Sequence, residues 1–346
     1  MEVDYLIIGQ GLAGSALAMA LLDEGASLLV VDREDSHSAS RVAAGLITTV
    51  AGKGMNPSWR QSAYLPEAMA FYRDLERVSG ETLFHAMDTL RLFDSEKQER
   101  KFLNKRDLLG QWIDDVDPDD LTGWKADFGG FLMKRGGWLD TNKYLKVIRR
   151  ILGDKYRVAD FEEKDLKFEN GTVTWQDVDA KRVILCQGAG GLRSQHGSVD
   201  ESLFAYVDHR SSKGEILTVK FAEANEGKII NRNGWMIPIG DGEWRCGANY
   251  DWQDLENGIT QAGREDVEGK IQSLAHASYE VTSHTAGIRP IIRKSQPYIG
   301  HHPEHPEVSF FNGLGSKGVT TAPSVAVHFA KHLVHGEEID PELVLG

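Results

Sequence analysis

Cysteine is scarce in this sequence, which contains only Cys186 and Cys246. Two isolated thiols cannot form the disulfide framework of a small secreted domain, so we expect a reducing compartment. The chain also lacks an apolar run long enough to cross a membrane, and its start carries an acid, Glu2, instead of a basic leader. These absences predict a cytoplasmic protein without a membrane span.

Positive charge is also in the minority. The 346 residues include 39 Lys and Arg against 52 Asp and Glu, which gives a net charge of −13. Nucleic-acid binding needs concentrated Lys and Arg, so this balance predicts that nucleic acid is not a partner, although it leaves room for a local basic pocket. No internal repeat or low-complexity segment is visible. The length suits two ordinary domains with a substantial core.

Glycine, in contrast, is concentrated near the start, in DYLIIGQGLAGSALAMALL. Gly9, Gly11 and Gly14 separate an apolar strand pattern from a run of helix formers. In a dinucleotide site these glycines permit a tight turn, close approach of the backbone to a pyrophosphate, and packing of the helix on the strand. A second apolar strand, residues 28–31, leads to Asp32, whose carboxylate suits ribose hydroxyls. The motif predicts a βαβ dinucleotide site and leaves the choice of dinucleotide open.

The rest of the chain alternates between helix and strand patterns. Helical spacing marks residues 64–78, 96–112, 140–152 and 266–277, and the last predicted helix spans 321–333. Asn170-Gly171 and Asp241-Gly242 are hairpin-turn signals between strand patterns. The alternation predicts an α/β fold, in which a Rossmann-like domain is interleaved with an α+β domain containing a mainly antiparallel sheet.

Further pieces of the sequence carry a family resemblance over nearly the whole chain. They are SRVAAGLI at 40–47, KRVILCQGAGG at 181–191, SSKGEILTV at 211–219, WRCGANYDW at 244–252, and GIRPIIRKSQPYIG followed by NGLGSKGVTTAP. With the glycine-rich start and VVDRE, they resemble the FAD-dependent oxidoreductases of the D-amino-acid-oxidase and glycine-oxidase superfamily. The resemblance implies FAD and not NAD, because an NAD enzyme has no need of the second glycine cluster. We expect the FAD to be bound noncovalently. It implies an FAD-binding domain at 1–80, 151–205 and 286–346, and a substrate domain at 81–150 and 206–285.

The resemblance also implies which residues contact the cofactor. The first glycine motif would hold the ADP half, the 40–46 loop would pass beside the flavin ring, and the last glycine turn would direct a helix start toward the flavin. The residues implied are Gly9, Gly11, Leu12, Ala13, Gly14, Asp32, Arg33, Ser40, Arg41, Ala43, Ala44, Gly45, Leu46, Val158, Gly188, Gly313, Leu314, Gly315, Ser316, Lys317 and Gly318. Arg33 equally suits a solvated surface position, and Gly188 a plain core turn.

Two basic residues are implied in the chemistry. The family often uses an arginine at the position of Arg289, in GIRP, to clamp a substrate carboxylate, whose geometry a guanidinium matches. A structural arginine joining two domains is the alternative. Lys317 would add a full positive charge beside the flavin.

Other candidates are weaker. Trp59, Arg60, Trp235, Tyr250, Trp252 and His284 suit a pocket lining, although each also suits a core or surface position. The HHPEHP stretch at 301–306 invites a metal interpretation, but two prolines interrupt it and no cysteine accompanies it, so we predict a loop and no metal.

The function expected is FAD-dependent oxidation of a small amine or amino acid. A hydride would pass from the substrate carbon to flavin N5, and the imine product would hydrolyse. The SRVAAGLI loop also resembles the flavin domain of enzymes that modify the wobble uridine of tRNA, which is the alternative. A third possibility is a flavoprotein without turnover. The substrate, the electron acceptor and the oligomeric state stay open.

Overall fold

A computed structural model describes residues 1–169, 171–192, 202–222, 226–292 and 296–344. Within these ranges the strands are β1 (Glu2–Ile8), β2 (Leu28–Asp32), β3 (Leu46–Ile47), β4 (Val50–Ala51), β5 (Asn56–Pro57), β6 (Phe84–Ala86), β7 (Thr89–Leu92), β8 (Ile113–Asp114), β9 (Gly130–Met133), β10 (Gly137–Leu139), β11 (Tyr156–Val158), β12 (Lys167–Glu169), β13 (Thr172–Trp175), β14 (Val178–Leu185), β15 (Ser212–Phe221), β16 (Ile229–Asn231), β17 (Trp235–Gly240), β18 (Glu243–Gly247), β19 (Tyr279–Arg289), β20 (Tyr298–His301) and β21 (Val308–Asn312). The helices are α1 (Leu12–Asp23), α2 (Ala39–Val42), α3 (Gln61–Ser79), α4 (Glu96–Leu103), α5 (Arg106–Leu109), α6 (Thr141–Leu152), α7 (Gln261–Leu274) and α8 (Gly318–His335).

The first sheet carries the glycine-rich turns. Strands β11, β2, β1 and β14 run parallel, side by side. The first half of β14 pairs antiparallel with β13, and its second half pairs parallel with β21. Because the carboxyl ends of parallel strands lie at one edge of a sheet, the turns after β1, β2, β14 and β21 meet there.

The second sheet has the order β19-β15-β18-β17-β16-β7-β9-β8, antiparallel except for the β16–β7 pair. Side chains of β15 alternate between its two faces. The outer face lies against α7, where Leu217, Trp244 and Val267 share a buried apolar cluster. The inner face lies against the 40–46 loop, where Ile216 packs with Val42. The loop therefore separates this sheet from the first one.

Helices α1, α3, α6 and α8 cover the first sheet and share its largest apolar cluster, which includes Leu17, Ile148 and Phe329. Helix α1 is apolar on nearly all sides because it is buried between the sheet and α8. Among the described residues, no helix is both long and apolar enough to cross a membrane.

Most of the predicted elements are confirmed. The α/β class holds, and Asp140 caps α6 by accepting a hydrogen bond from the Lys143 N–H. Several boundaries differ from the prediction: residues 96–112 divide into α4 and α5 at a turn, α3 and α8 each begin three residues earlier, and α7 begins five residues earlier. Pro323 therefore lies in the second turn of α8. Asn170 of the predicted hairpin lies outside the described residues, and the division into two domains stays a prediction.

Candidate functional site

The first glycine motif forms a turn too tight for side chains. Gly9 has a φ of +102°, and a Cβ there would lie 2.6 Å from the Cys186 carbonyl oxygen. A Cβ at Gly14 would lie only 1.9 Å from the Gly9 carbonyl oxygen. Helix α1 can thus begin directly against the strand end. Its first residues, Leu12 and Ala13, are buried.

Ser40 approaches this helix start. Its hydroxyl accepts a 3.0 Å hydrogen bond from the Leu12 N–H, and a Cβ at Gly11 would lie 2.9 Å from the same oxygen. The first amide of α1 therefore already faces an oxygen acceptor. This is the position that a phosphate oxygen takes at a helix N-terminus.

Asp32 ends β2 beside the glycine turn. Its carboxylate accepts 2.7 Å hydrogen bonds from the N–H groups of Gln10 and Glu34, which fix its orientation. Arg41 lies 4.0 Å from it. Val158, half exposed, pairs with Asp32 across the strands and lines an open cavity of about 460 Å³ together with Tyr156 and α6 residues. The predicted nucleotide residues Asp32 and Val158 are thus brought together.

The 40–46 loop is held mainly through its carbonyl groups. Arg245 of β18 donates hydrogen bonds to the carbonyls of Val42 and Ala43, at 2.5 and 2.9 Å. Asn142 donates to the Arg41 carbonyl at 2.9 Å. Gly45 has a φ of +71°, and a Cβ there would lie 1.9 Å from the Leu139 carbonyl oxygen. Ala44 is buried and Leu46 pairs with Trp138, so the loop conformation is well determined.

The second group of glycines joins two turns at the same sheet edge. The Asn312 side chain donates to the Gly188 carbonyl at 2.8 Å and accepts from the Gly313 N–H at 2.8 Å. Gly188, Gly313 and Gly315 all have positive φ, at +57°, +81° and +53°. The turn continues through buried Leu314 and through Ser316 into α8.

Lys317 lies directly before α8. Its Nζ donates a 3.0 Å hydrogen bond to the Thr48 hydroxyl. Burial, with a smaller contribution from the nearby Arg91 charge, lowers the pKa of Lys317 to about 8. A cation is thus held at the start of a helix, where the helix dipole is also positive.

The inner face of the second sheet adds three guanidinium groups, from Arg91, Arg245 and Arg289. Each donates to backbone carbonyls: Arg91 to Val50 and Gly52, Arg245 to the loop, and Arg289 to Lys213 and Asn249. Burial lowers the pKa of each guanidinium. Within the described part of the chain, none of the three pairs with a carboxylate. In a chain with a net charge of −13, this is a local positive region.

Arg289 is aligned along the sheet. Its side chain lies over Gly214, where a Cβ would be 2.0 Å from Nη2, and its guanidinium lies 4.3 Å from the centre of the Tyr250 ring. Its hydrogen bonds to the carbonyls of Lys213 and Asn249 measure 3.4 and 3.2 Å. Glycine on the neighbouring strand is therefore a requirement for this arrangement.

The site fits a dinucleotide cofactor with an extended anionic shape. A glycine cradle, an acid at a strand end, two helix N-termini and four cations line one continuous sheet edge and the facing inner face. The sequence model of the DAO family, described as FAD dependent oxidoreductase, matches residues 4–332.

The chain belongs to the DAO family. Its cofactor is FAD, and it is an oxidoreductase of the FAD-dependent class. The family resemblance in the sequence is thereby confirmed.

Relatives of this DAO-family chain span several activities. It is 24% identical to an uncharacterized oxidoreductase of Bacillus subtilis, YurR, covering 98% of this chain and 96% of that protein. It is 22% identical to the bifunctional tRNA 5-methylaminomethyl-2-thiouridine biosynthesis protein MnmC of Marinobacter nauticus, with 95% of this chain and 55% of that protein covered. It therefore spans about half the length of that bifunctional relative.

Solved structures agree on the fold. Iminodiacetate oxidase from Chelativorans superposes with a TM-score of 0.79 at 19% identity, covering 98% of both chains. Glycine oxidase from Bacillus cereus gives a TM-score of 0.79 at 18% identity, covering 97% of this chain and 96% of the other.

Three of the candidate residues have other partners in this structure. Arg33 is exposed and pairs with Asp35, and Arg60 pairs with Asp340 and Glu342 near the C-terminus. His284 lies on the outer face, 2.8 Å from Glu215, which agrees with the alternative of a core position.

The HHPEHP stretch begins at His301, the last residue of β20, and continues as a loop that contains His302 and His305. His301 contacts Arg182, Ser309 and His332, and burial together with the charges of Arg182 and His332 lowers its pKa to about 4. Among the described residues, no three His, Cys, Asp or Glu side chains are grouped as a metal site requires.

Sequence reasoning missed Arg91, Arg245 and Thr48. A charged residue inside the apolar strand TLRL was a signal for Arg91, because such a residue is rarely buried without a role. No comparable signal marks Arg245 or Thr48.

Proposed function

We propose that this protein oxidises a small amine or amino acid that carries a carboxylate. The observation that carries the proposal is Arg289, a partly buried guanidinium on the inner face that is aligned by two carbonyls and has no carboxylate partner among the described residues. A guanidinium in this state is preorganised for an anionic ligand. The names of two structural neighbours, iminodiacetate oxidase and glycine oxidase, agree with this ligand class.

In this proposal FAD lies along the sheet edge. The first glycine motif and Ser40 would face its pyrophosphate, Asp32 its ribose and Val158 its adenine. The 40–46 loop and the turn at 313–318 would hold the flavin, with the FAD bound noncovalently. FAD supplies the acceptor for the hydride that leaves the substrate carbon.

The chain's own residues would bind and orient the substrate. Arg289 would hold the substrate carboxylate in one orientation. The adjacent C–H bond would then be aligned for reaction, so part of the binding energy would contribute to this alignment. Arg245 would keep the loop in place by its two carbonyl contacts. Lys317 would hold a positive charge at Nζ beside the start of α8, where negative charge would develop on the cofactor. The oxidised substrate, an imine, would then hydrolyse to a carbonyl compound and an amine or ammonia.

An anaerobic substrate panel tests the proposal. FAD-loaded protein would be mixed with D-amino acids, glycine, sarcosine, iminodiacetate and hydroxy acids, and bleaching of the flavin absorbance recorded. We expect bleaching by at least one amine with a carboxylate and none by its decarboxylated analogue. A flavin that dithionite reduces but no amine reduces would contradict the proposal and favour a flavoprotein without turnover.

The similarity to MnmC supports a second candidate function, oxidation of a modified wobble uridine in tRNA. The net charge of −13 weighs against it, because tRNA binding depends on Lys and Arg. A gel shift with tRNA at low salt distinguishes the two. Binding that weakens steeply as salt is raised would favour the tRNA function.

A further inference from the structure

Lys213 is the most completely enclosed cation of the second sheet. It lies on β15 with 1% of its surface exposed and points to the outer face, away from the cofactor site. Its Nζ donates to the Asn257 carbonyl at 2.7 Å and to Asp254 Oδ2 at 3.2 Å. Asp251 Oδ2 lies 3.8 Å away. The desolvation cost of this buried ammonium is offset by the oxygens that surround it.

These three oxygens belong to one segment, residues 249–257, and a fourth, Glu215 Oε1 at 3.7 Å, comes from β15 itself. The Asp251 carboxylate accepts from the N–H groups of Gln253 and Asp254, and Asp254 accepts from Asn257. The backbones of Lys213 and Asp251 also exchange hydrogen bonds of 2.8 and 3.0 Å. The segment is thus a chain of turns wound around the Lys213 ammonium, with little regular structure of its own.

The same segment holds Arg289 on the opposite face. The Asn249 carbonyl accepts from Arg289, and the Tyr250 ring lies against its guanidinium. Asn249 is fixed in turn, since its Oδ1 accepts a 2.6 Å hydrogen bond from the Glu215 N–H. Tyr250 and Trp252 are both exposed and stack on each other, so they contribute little burial to keep the segment in place.

We infer that Lys213 is a positioning residue for Arg289: its ammonium fixes the 249–257 segment, and the segment fixes the guanidinium that binds the substrate carboxylate. The inference rests on the proposed function for the role of Arg289. In this inference the Lys213 side chain acts through the segment alone, whereas the direct hydrogen bond from Arg289 goes to the Lys213 backbone carbonyl, which Lys213→Met retains. Glu215, 3.7 Å from Nζ, has its own partners in Thr260 and His284, so it does not replace the segment's carboxylates.

The test compares Lys213→Met and Asp254→Asn with wild type, using the FAD-loaded protein. Asp254 lies near the surface, so Asp254→Asn weakens the same contact without opening the core. Lys228→Met is the matched control, because Lys228, which directly precedes β16, pairs with Asp120 at 2.6 Å and not with the carboxylates of the segment. The first measurement is the rate of chymotrypsin cleavage after Tyr250 and Trp252. The second is the Kd of acetate, a minimal carboxylate, from perturbation of the flavin absorbance.

We expect cleavage in the segment to accelerate about tenfold in Lys213→Met and the acetate Kd to rise about tenfold, which equals 1.4 kcal/mol. Asp254→Asn should change both in the same direction by about threefold, or roughly 0.7 kcal/mol. In an Arg289→Ala background, Lys213→Met should leave the acetate Kd unchanged, because the two residues act in series.

Two results overturn the inference. One is unchanged cleavage and acetate binding in folded Lys213→Met relative to Lys228→Met. The other is an equal loss of acetate affinity with and without Arg289, which would show independent effects. An Arg289→Ala variant that binds acetate like wild type contradicts the proposed function instead, so the two failures are distinguishable.

Discussion

The hydroxyl of Tyr72, on α3, donates a 2.7 Å hydrogen bond to the backbone carbonyl of Val319, on α8. Val319 stands four residues before Pro323, which has no N–H to offer it. A side chain from a neighbouring helix therefore supplies the missing donor. This explains how α8 tolerates a proline in its second turn, next to the candidate site.

Replacing Tyr72 by Phe should lower the free energy of unfolding by about 1 to 2 kcal/mol, because the Val319 carbonyl would be left buried without a donor. Urea unfolding measures this. In a Pro323→Ala background the restored N–H should satisfy the carbonyl, and Tyr72→Phe should then cost clearly less. Equal costs in both backgrounds would refute this account of the proline.

Gly45→Ala should abolish tight FAD binding. Its positive φ and the 1.9 Å approach to the Leu139 carbonyl leave no room for a methyl group, so the 40–46 loop must shift. Gly25→Ala is the matched control, since Gly25 also has a positive φ, +77°, but nothing lies within 4 Å of its Cβ position. We expect the control to lose about 1 to 2 kcal/mol of stability and retain FAD. The flavin-to-protein absorbance ratio after purification checks both variants.

Arg289→Ala should raise KM for a carboxylate substrate by about 30- to 150-fold, since a charge-assisted pair contributes about 2 to 3 kcal/mol. Arg289→Lys should recover only part of this, because an ammonium lacks the guanidinium fork. The exposed Arg33→Ala is the control. Steady-state kinetics with one amine that bleaches the flavin measure the effect, and an unchanged KM would remove the proposed clamp.

Lys317→Met should stabilise the FAD-free protein at neutral pH. The folded pKa of Lys317 is about 8, below the ordinary value of 10.5, so the unfolded chain binds more protons between these limits. The folded wild type therefore gains stability relative to the unfolded state as pH rises from about 8 to 10.5, and is penalised below that window. We expect a variant advantage on the order of 2 kcal/mol at pH 7, allowing for partial exposure, that shrinks by pH 10.

Urea unfolding of both proteins at the two pH values measures this difference. The same variant should bind FAD more weakly, because it lacks the charge beside α8. An advantage that does not depend on pH would assign the effect to packing instead of charge.

Features governed by local sterics were predictable from the sequence. The glycine turn at 9–14 and the cap at Asp140 depend on residues close in the chain, and the structure confirms both. The start of α8 was not predictable from the sequence. Pro323 leaves the Val319 carbonyl without a helical donor, and the donor that replaces it, the Tyr72 hydroxyl, comes from another helix. The break after α4 is also tertiary: Lys105 donates to Gly54 and Asn56, far away in sequence.

The inner-face residues show a second limit. Sequence indicates that β18 and β19 are strands but does not indicate which alternate side chains face the cofactor. A register shift between Thr218 and Val219 affects that choice for β19. The sequence alone therefore did not identify Arg245 of β18 as an inner-face residue or exclude His284 from that face. Arg289 was singled out only because its motif resembled a family.

Strand β14 completes its pairing only with β21, more than a hundred residues later in the chain. During synthesis, the second half of β14 therefore remains an open, apolar edge until residues 308–312 leave the ribosome, and such edges favour aggregation. The turn at 313–318 emerges later still, so in the proposed binding mode FAD would be taken up only after these residues have been translated. Destabilising substitutions in β21 are thus expected to give colourless inclusion bodies, whereas those in the 249–257 segment leave yellow, soluble protein.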